Sequence, residues 1–385
     1  MPGALEGIRV VELAHIMAGP VAGLMLADMG ADVVKVEKLP GGDDTRRMAP
    51  PLLGDQSAAY LMMNRNKRGI ALDLKTERGQ AILRKLLGTA DVLIENYRMG
   101  TLDRLGFGYE AVSTLNPRLV YCSLSGFGRT GPYAARGGFD LVAQGMSGLM
   151  GITGEGPGRV PVKVGAPVTD ITAGILAAMG ILGALQARAR TGRGQRVDTS
   201  LFEAGIVQTF WQSAIALATG VSPGPLGSGH PLNAPYQAFA TADGWINVGA
   251  ANQKTWLKLV ECLDAPQLAA DPRFASNADR MVNLPALVDA LAPLFAARTT
   301  AAWLDLFERA GMPAGPVLSI QEMLADPQTR AREMVVTTEH ATLGRVETLG
   351  APVKFSDTPA AVRRAAPTLG QHNDEIFAEL GFGST

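Results

Sequence analysis

Asp170 is the residue of this sequence whose setting best suits chemistry. It follows a Gly-Ala-Pro segment at 165–167 and precedes a long stretch without charge, 171–187. A carboxylate in this setting can accept hydrogen bonds from the free N–H groups that begin a helix, or it can attack an activated carbonyl carbon as a nucleophile. With an ordinary pKa of about 3.9 it is ionised at neutral pH and needs no neighbouring base. The two roles do not exclude each other.

Glycines are dense on either side of Asp170. Taken one at a time, they indicate turns and close helix packing. Taken together, they would supply backbone N–H donors beside a developing oxyanion and room for a bulky ligand. They are Gly145, Gly148, Gly151, Gly154, Gly156, Gly158, Gly165 and Gly174, with Gly227 and Gly229 farther along the chain.

Basic residues recur in the segments next to predicted strands. The run NRNKR at 64–68, taken alone, is typical of a solvated charged surface. Several basic segments at one edge of one sheet instead favour a ligand that carries phosphate groups. The other basic candidates are Lys38, Lys75, Arg98, Arg104, Arg129 and Arg136.

Composition narrows the possible partners. The net charge of −1 argues against a nucleic-acid-binding protein, which usually has a basic excess. Cys122 and Cys262 lie far apart and the four histidines are scattered, so we expect no metal site. The N-terminal residues lack the pattern of a secretory signal, which favours the cytoplasm.

The uncharged stretches 171–187 and 204–221 contain glycines or polar residues, and we expect buried helices, at a subunit interface, rather than membrane spans.

The first third of the chain alternates strand-like and helix-like segments. This alternation predicts an α/β fold with a parallel sheet covered by helices, in which ligands bind beyond the carboxyl ends of the strands. The segment HIMAGPVAG after the first strand lacks the GxGxxG pattern of dinucleotide-binding folds, which weighs against a nicotinamide oxidoreductase. Strands are predicted at 8–13, 31–37, 70–74, 91–96 and 119–125, and helices at 20–30, 76–88, 109–115 and, as a second apolar helix after the one that follows Asp170, at 202–219.

The length of 385 residues predicts two domains, because single cores rarely grow so large. A boundary is expected at 221–235, which is dense in Pro, Gly and Ser. Beyond it, a hairpin around Asp243-Gly244 and three helical patterns predict a smaller α+β unit. The expected organisation is a large domain at 1–220, a small domain at 221–325, and a C-terminal segment at 326–385 that returns to the large domain with a hairpin at 334–348 and a helix at 370–380.

A series of segments, taken in order over residues 8–205, resembles one family. They are VVELAHIMAGP, LADMGADVVKVEKLPGGDDTR, NRNKRGIALDLKTERG, ADVLIENYRMGTLDRLGFGYE, NPRLVYCSLSGFGRTGP, GFDLVAQGMSGLM, GAPVTDITAG and RTGRGQRVDTSLFEA, and YQAFATADGWINVGAANQKTW continues the series. The chain resembles the family III CoA-transferases of the CaiB/BaiF group, which include formyl-CoA transferase and carnitine CoA-transferase. The resemblance implies a Rossmann-like large domain, a smaller α+β domain and an interlocked, ring-like homodimer.

The resemblance also implies roles for individual residues. Asp170 would attack an acyl-CoA donor, giving an aspartyl anhydride and then an aspartyl-CoA thioester, from which a carboxylic acid acceptor takes the coenzyme. Coenzyme A is then a substrate, and no tightly bound cofactor is implied. Residues that match coenzyme-contacting positions are His15, Met17, Ala18, Lys38, Leu72, Lys75, Asn96, Tyr97, Arg98, Arg104, Arg136, Gly137 and Phe139, while Gly227 and Gly229 match a glycine loop that closes over the intermediate.

Three departures from the family pattern bear on the substrate. Lys38 stands where arginine is common, which keeps the charge but loses the two-pronged hydrogen bond. Met17 replaces a polar glutamine of formyl-CoA transferase, and the segment 227–230 is poorer in glycine. The last two departures weigh against oxalate or formate, and Met17 favours a less polar acyl group.

Two alternatives remain beside the transferase. An α-methylacyl-CoA racemase shares the fold but uses a histidine that would stand at Phe139, and a glutamate near Asn252; neither residue here can move a proton. A non-catalytic scaffold that binds acyl-CoA for a partner is the third hypothesis. The presence of Asp170 gives no positive reason for it.

Overall fold

The structure, a computed structural model, describes residues 2–383. It contains two compact units. The first comprises the chain up to Leu149, Val164–Gln208 and the chain from Asp326 onward, and the second comprises Met150–Lys163 and Thr209–Ala325. The division therefore falls at Thr209 rather than at 221, and the second unit also takes in 150–163. That segment is joined to the predicted linker by a hydrogen bond from Gly227 N–H to Gly154 O (2.8 Å).

The first unit is built on a parallel sheet of six strands. Their order is β5-β2-β1-β6-β7-β8, which is the doubly wound Rossmann order. The parallel α/β fold predicted from the sequence is confirmed. The strands are β1 (Arg9–Leu13), β2 (Asp32–Lys38), the small antiparallel pair β3 (Leu52–Leu53) and β4 (Gln56–Ser57), β5 (Lys67–Leu72), β6 (Val92–Glu95), β7 (Val120–Ser125) and β8 (Arg196–Ser200).

Helices cover both faces of this sheet. Val10 and Val11 are adjacent in β1 and fully buried on opposite faces, in two separate apolar clusters. Such continuous apolar runs are characteristic of strands that are covered on both sides. The helices of this unit are α1 (Ala18–Asp28), α2 (Ala58–Met63), α3 (Glu77–Thr89), α4 (Thr101–Arg104), α5 (Tyr109–Leu115), α6 (Asp140–Met146), α8 (Val168–Thr191) and α9 (Leu201–Val207), with a 3₁₀ turn at Asp44–Arg47. The short helix α7 (Leu149–Ile152) begins at the last residue of this part of the first unit, and its other residues belong to the second unit.

Helix α8 is the long apolar helix that begins beside Asp170. It alone among the helices of residues 2–383 has the length and hydropathy of a membrane span. A core helix has the same properties, and Ala173, Ala177 and Ile181 of α8 are fully buried in the cluster that α1 shares. The first uncharged stretch is therefore a core helix, as predicted. On the side of α8 that does not face this cluster, the side chain of Met179 is 63% exposed.

Strand β5 begins earlier than predicted, at Lys67 instead of Ile70. The run NRNKR is therefore not a solvated surface, and that interpretation is wrong. It lies at the amino end of β5 and not at the carboxyl end, so it does not join the other basic segments. Its cations are buried against acids from neighbouring elements: Arg65 against Asp28 (2.6 Å), Lys67 against Glu12 (2.8 Å) and Arg68 against Asp32 (2.6 Å).

The second apolar helix predicted at 202–219 is two helices, because α9 ends at Val207. The stretch has no proline near the break, and neither an isolated glycine nor a single polar residue such as Gln208 marks a helix end. The structure puts it at Gln208, whose amide donates to Thr172 Oγ1 on α8 (2.8 Å).

The second unit combines a small antiparallel sheet with helices. Its hairpin turns at Asp243-Gly244, as predicted. The core is aromatic, with Phe239 stacked on Phe295 at 4.5 Å between ring centroids. The elements are α10 (Phe210–Thr219), β9 (Tyr236–Ala240), β10 (Trp245–Gly249), α11 (Gln253–Cys262), α12 (Pro266–Ala270), α13 (Asn277–Val282), α14 (Leu284–Ala296), α15 (Thr300–Ala310), β11 (Ala314–Pro316) and α16 (Ile320–Ala325), with a 3₁₀ turn at Pro272–Phe274.

The C-terminal segment packs on the first unit. Gly69 N–H in β5 donates to His372 Nδ1 (3.0 Å), and His372 N–H donates back to Gly69 O (2.9 Å). The segment contains the predicted hairpin and the predicted short helix. Its elements are α17 (Pro327–Ala331), β12 (Val335–His340), β13 (Gly344–Leu349) and α18 (Asn373–Glu379).

Candidate active site

The candidate site lies where the strand order of the sheet reverses, at the carboxyl ends of β1 and β6. Ligands of doubly wound folds bind in the crevice that opens there. The loops after these two strands are tied together by a pair of hydrogen bonds. His15 N–H donates to Asn96 Oδ1 (2.9 Å), and Asn96 Nδ2 donates to His15 O (2.8 Å).

Two cavities open at this edge of the sheet. The first, of about 380 Å³, lies over the ends of β2 and β5, and the second, of about 360 Å³, contains Asp170. Tyr97 lines both. Every position that the resemblance assigned to the coenzyme lines one of them: Lys38, Leu72, Lys75, Tyr97 and Arg104 the first, and His15, Met17, Ala18, Asn96, Tyr97, Arg98, Arg136, Gly137 and Phe139 the second.

The cavities carry cations without matching acids. Within residues 2–383 the guanidinium of Arg104 donates only to the hydroxyl of Thr101 (3.3 Å), and the guanidinium of Arg136 lies over the ring of Tyr133 at 4.0 Å. Unpaired cations around a crevice attract anions such as phosphate groups. Within residues 2–383, no ion pair is formed by Lys75, Arg98, Arg104 or Arg136.

Two predicted cations are already paired. Lys38 Nζ lies 2.8 Å from Asp44 Oδ1 on the exposed 3₁₀ turn, and Arg129 pairs with the buried Glu95 at the end of β6. An exposed pair such as Lys38–Asp44 is weak and opens readily for a ligand. Arg129 therefore carries less free charge toward the cavity than the sequence alone suggested.

Asp170 does not cap its helix, so the capping interpretation is wrong. Helix α8 begins at Val168 after Pro167, which puts Asp170 at the third helical position. The cap is Asp140, at the start of α6. Its Oδ1 accepts hydrogen bonds from Thr169 N–H (2.9 Å) and Thr169 Oγ1 (2.7 Å).

Asp140 is itself held in place from the other side. Its Oδ2 accepts a hydrogen bond from Nε2 of Gln144 (2.7 Å), one turn along α6. Gln144 is fully buried, and its Oε1 accepts from Val164 N–H (2.9 Å). The free N–H group of Thr169 in the first turn of α8 is thus satisfied by a side chain from another element, and the carboxylate of Asp170 is released from that task.

The carboxylate of Asp170 receives no hydrogen bond from any described residue and lines the second cavity. Burial, and next the negative charge of Asp140, raise its pKa to about 6. The ordinary pKa expected from the sequence is therefore wrong. At pH 7 about nine-tenths of the group is still ionised. A more basic carboxylate is also a stronger nucleophile, so the site combines availability with reactivity.

The cavity of Asp170 also has an uncharged part of its lining. His15 meets Tyr97 edge to face at 5.0 Å between ring centroids. Burial, and next the charge of Lys35, lower the pKa of His15, so its ring adds no charge at neutral pH. Sequence reasoning missed several apolar wall residues because they lie in separate loops and strands: Met48, Met99, Leu124 and Leu201.

Gly227 and Gly229 belong to the second unit and do not line either cavity. Gly227 has a positive φ of 61°, a conformation that suits glycine. Gly229 N–H donates to Leu226 O (2.9 Å), which closes a tight turn. Their role as a loop over the intermediate stays a prediction.

Comparison with known proteins adds a family to this geometry. Residues 5–373 match the family described as CoA-transferase family III. The chain is 41% identical to a succinate–glutarate CoA-transferase of Agrobacterium fabrum, over 98% of this chain and 95% of that protein. It is also 41% identical to an acetyl-CoA:oxalate CoA-transferase of Acetobacter aceti, over 98% and 96%. A crystal structure of a CAIB/BAIF family protein from Brucella suis is similar over 99% of this chain and all of that one, with a TM-score of 0.88 and 41% identity.

Proposed function

The chain belongs to CoA-transferase family III, whose members pass coenzyme A between acyl-CoA thioesters and carboxylic acids, and we propose that it does so through covalent intermediates on Asp170. One observation carries this proposal. Asp170 lies at the start of a helix, yet Asp140 performs the capping, and the half-buried carboxylate of Asp170 lines the cavity without a hydrogen bond from any residue of 2–383. A carboxylate in that state is poorly stabilised as an ion and is ready to form a bond.

The first half of the reaction moves the coenzyme onto the enzyme. An oxygen of Asp170 attacks the thioester carbonyl carbon of the donor, the C–S bond breaks, and the coenzyme leaves as a thiolate. The product is a mixed anhydride. The thiolate then attacks the aspartyl carbonyl carbon and expels the donor acid as a carboxylate. What remains is an aspartyl-CoA thioester.

The second half is the same chemistry in reverse. The acceptor carboxylate attacks the aspartyl thioester and releases the thiolate, which forms a second anhydride. The thiolate attacks the acyl carbon of that anhydride, giving the new acyl-CoA and regenerating the carboxylate of Asp170. Each step replaces one activated acyl bond by another, so no nucleoside triphosphate is needed.

The two cavities suit the two ends of the coenzyme. We assign its phosphate-bearing part to the first cavity and the adjoining cations, with Arg104 and Lys75 as principal contacts. The thioester would then reach the second cavity past Tyr97, which lines both. The first cavity is lined by Leu13, Leu72 and Leu105 as well, and these apolar side chains suit a flat ring system.

We propose that the acceptor is a dicarboxylic acid. The named relatives act on glutarate and on oxalate, which share a second carboxylate. Arg98 and Arg136, which the resemblance assigned to the coenzyme, line the cavity of Asp170 and form no ion pair within the described residues. We propose that they also meet the distal carboxylate of the acceptor. The test compares the rates of coenzyme A transfer to glutarate and to pentanoate, which has the same number of carbon atoms but one carboxylate. Equal transfer to both acids would contradict this assignment.

The racemase alternative receives no support from the geometry. Phe139, at the position of the racemase histidine, is 75% exposed and cannot carry a proton. Asn252 forms a reciprocal capping arrangement with Thr255 at the start of α11, which is a structural task. Deuterium uptake at the carbon next to the thioester carbonyl would nevertheless favour a racemase and contradict the transferase.

We further propose a cytoplasmic homodimer. In the first unit Phe139 and Met179 are largely exposed, and in the second unit α10 buries none of its residues and leaves Leu217 88% exposed. Apolar surface of this kind usually marks an interface. Light scattering after size-exclusion chromatography gives the mass in solution, and a monomer at micromolar concentration would contradict the dimer.

Isotope transfer tests the covalent mechanism most directly. In the scheme above, one oxygen of the acceptor carboxylate ends in the side chain of Asp170. We expect the peptide that contains Asp170 to gain one heavy oxygen in a single turnover with succinyl-CoA and heavy-oxygen-labelled glutarate, and up to two after repeated turnovers. Hydroxylamine should trap the intermediate at the same residue. Asp170→Asn is the control, and the absence of both signals in an enzyme that still transfers coenzyme A would refute the nucleophile assignment.

A further inference from the structure

The loop after β1 is held by side chains instead of by neighbouring backbone. Lys35 Nζ donates to Ala14 O (3.0 Å), and Asn96 exchanges two hydrogen bonds with the backbone of His15. Ile16 N–H donates to Asp43 Oδ1 (3.1 Å). The peptide groups from Ala14 to Ile16 are thus fixed by three side chains that come from other parts of the first unit.

Ile16 itself has an unfavourable backbone conformation. Its φ is 65°, in the left-handed region. A β-branched side chain rarely adopts this conformation, and such residues keep it only where the surroundings force it on them. The residues on either side, His15 and Met17, line the cavity of Asp170 together with Ile16. The conformation of Ile16 therefore decides where this wall of the cavity stands.

Asp43 accepts the hydrogen bond from Ile16 N–H, and both oxygens of its side chain have further partners. It is completely buried and accepts hydrogen bonds from Thr45 N–H and Thr45 Oγ1, both at 2.9 Å. Its other oxygen lies 2.9 Å from the Nζ of the buried Lys35. Asp43 therefore has a fixed position before it meets the loop.

Behind Asp43 stands a balanced network of buried charges. Lys35 also pairs with Glu12 (2.9 Å), and Glu12 pairs with Lys67 (2.8 Å), so two acids face two bases. Burying such groups costs free energy that apolar side chains of the same size would not cost. This network reaches the loop that lines the cavity of Asp170 through two hydrogen bonds, from Ile16 N–H to Asp43 and from Lys35 to Ala14 O.

We propose that Asp43 is a positioning residue for the acyl-transfer step: it holds Ile16 in the left-handed conformation and thereby fixes the loop 15–17 against the cavity of Asp170. This inference rests on the proposed function, because the step that it serves is the attack by Asp170. Asp43 does not line that cavity and acts only through the loop.

The main test compares Asp43→Asn with Asp28→Asn. Asp28 is also buried and pairs with Arg65 (2.6 Å), but it stands at the far end of α1 and serves as the matched loss of a buried acid. In Asp43→Asn an amide N–H₂ replaces the oxygen that faces the Nζ of Lys35, and two donors repel each other, so the remaining oxygen is drawn away from Ile16 N–H. We expect the single-turnover rate of adduct formation on Asp170 to fall about 100-fold in this variant, since a misplacement of about 1 Å has that effect. The rate in Asp28→Asn should stay within about threefold of the native rate.

A rescue variant separates positioning from general damage. Glycine adopts a positive φ without strain, so Ile16→Gly removes the need for Asp43 to enforce it. We expect the double variant Asp43→Asn with Ile16→Gly to recover about tenfold of the lost rate. A double variant no faster than Asp43→Asn, or equal rates in Asp43→Asn and Asp28→Asn, would overturn the proposal.

Amide hydrogen exchange gives a readout that does not depend on the reaction. We expect faster exchange in the peptide that contains Ile16 in Asp43→Asn, and unchanged exchange there in Asp28→Asn. If native protein forms no adduct, the proposed function fails, while the exchange experiment still shows whether Asp43 fixes the loop.

Should Asp43→Asn not fold, Thr45→Val removes one donor to Asp43 and should slow adduct formation about threefold. An unchanged rate and unchanged exchange in that variant would also overturn the proposal.

Discussion

Replacing Asp170 by asparagine should abolish transfer and at the same time make the folded protein more stable. Burial and the charge of Asp140 raise the pKa of Asp170 from 3.8 to about 6. The folded state therefore binds the proton more tightly than the unfolded state does. The stability that the protonated carboxyl contributes is complete below pH 3.8 and is lost as the pH rises through about 6.

The size of the effect follows from the shift. Two pKa units correspond to about 3 kcal/mol, at 1.36 kcal/mol for each unit. Asparagine has nearly the same shape but no charge, so Asp170→Asn removes this cost. We expect the variant to be more stable than the native protein by about 3 kcal/mol at pH 7.5 and by only about 1 kcal/mol at pH 4.5. The melting temperature at pH 7.5 should rise by about 4 °C.

The assay is calorimetry or fluorescence-detected melting at both pH values, with Asp374→Asn as the control. Asp374 is an exposed acid in the first turn of α18. Its removal should lower stability by about 0.3 to 1 kcal/mol, because acids normally stabilise the first turn of a helix. Two results would contradict this reasoning: a lower melting temperature of Asp170→Asn at pH 7.5, or a gain in stability at pH 4.5 as large as that at pH 7.5. In either case the ionised carboxylate of Asp170 does not destabilise the folded state.

Three further substitutions test the site and its scaffold. Burial and, next to it, the charge of Asp140 raise the pKa of Asp170. Asp140→Asn keeps the acceptor for the start of α8 but removes that charge, so the acidic limb of the kcat/KM profile should move to lower pH; an unmoved limb would contradict this coupling. Arg104→Ala should raise KM for acyl-CoA more than it lowers kcat, whereas an unchanged KM would remove Arg104 from the coenzyme site. Gly174→Ala would place a Cβ atom 2.7 Å from atoms of α1 and should cost about 1 to 3 kcal/mol in a melting experiment, while Gly183→Ala, with open space around it, should cost nothing.

The fold could be predicted because its signals are local. Strands such as β1 and β6 are short apolar runs, and their alternation with helices determines the class of sheet. The order of the strands then places the loops at 14–17 and 96–98 beside each other, and these loops line the cavity of Asp170. The resemblance supplied the remaining positions, since neither spacing nor charge distinguishes Leu72 or Tyr97 from other buried residues.

What the sequence did not predict depends on partners that are distant in the chain. The cap of α8 comes from Asp140, thirty positions before the residue that seemed placed to provide it. The run 64–68 looks like a surface because its acids belong to α1, β1 and β2. Asp43 belongs to a Gly-Gly-Asp-Asp segment, and nothing in that segment indicates a contact with the loop after β1. Pairings of this kind arise from packing and leave no local pattern.

Asp140 and Asp170 are neighbouring acids with opposite effects on stability. Asp140 accepts hydrogen bonds from Thr169 and stabilises the start of α8, whereas Asp170, the next residue after Thr169, accepts none from residues 2–383 and raises the energy of the folded state. If Asp170 had been the cap, its carboxylate would be stabilised as an ion and turned toward its own helix, and it would be a poor nucleophile. The separation of the two tasks explains why a second aspartate lies beside the reactive one, even though their mutual repulsion is unfavourable. It also implies that loss of the carboxylate of Asp170 raises stability and abolishes transfer, whereas removal of the side chain of Asp140 lowers both.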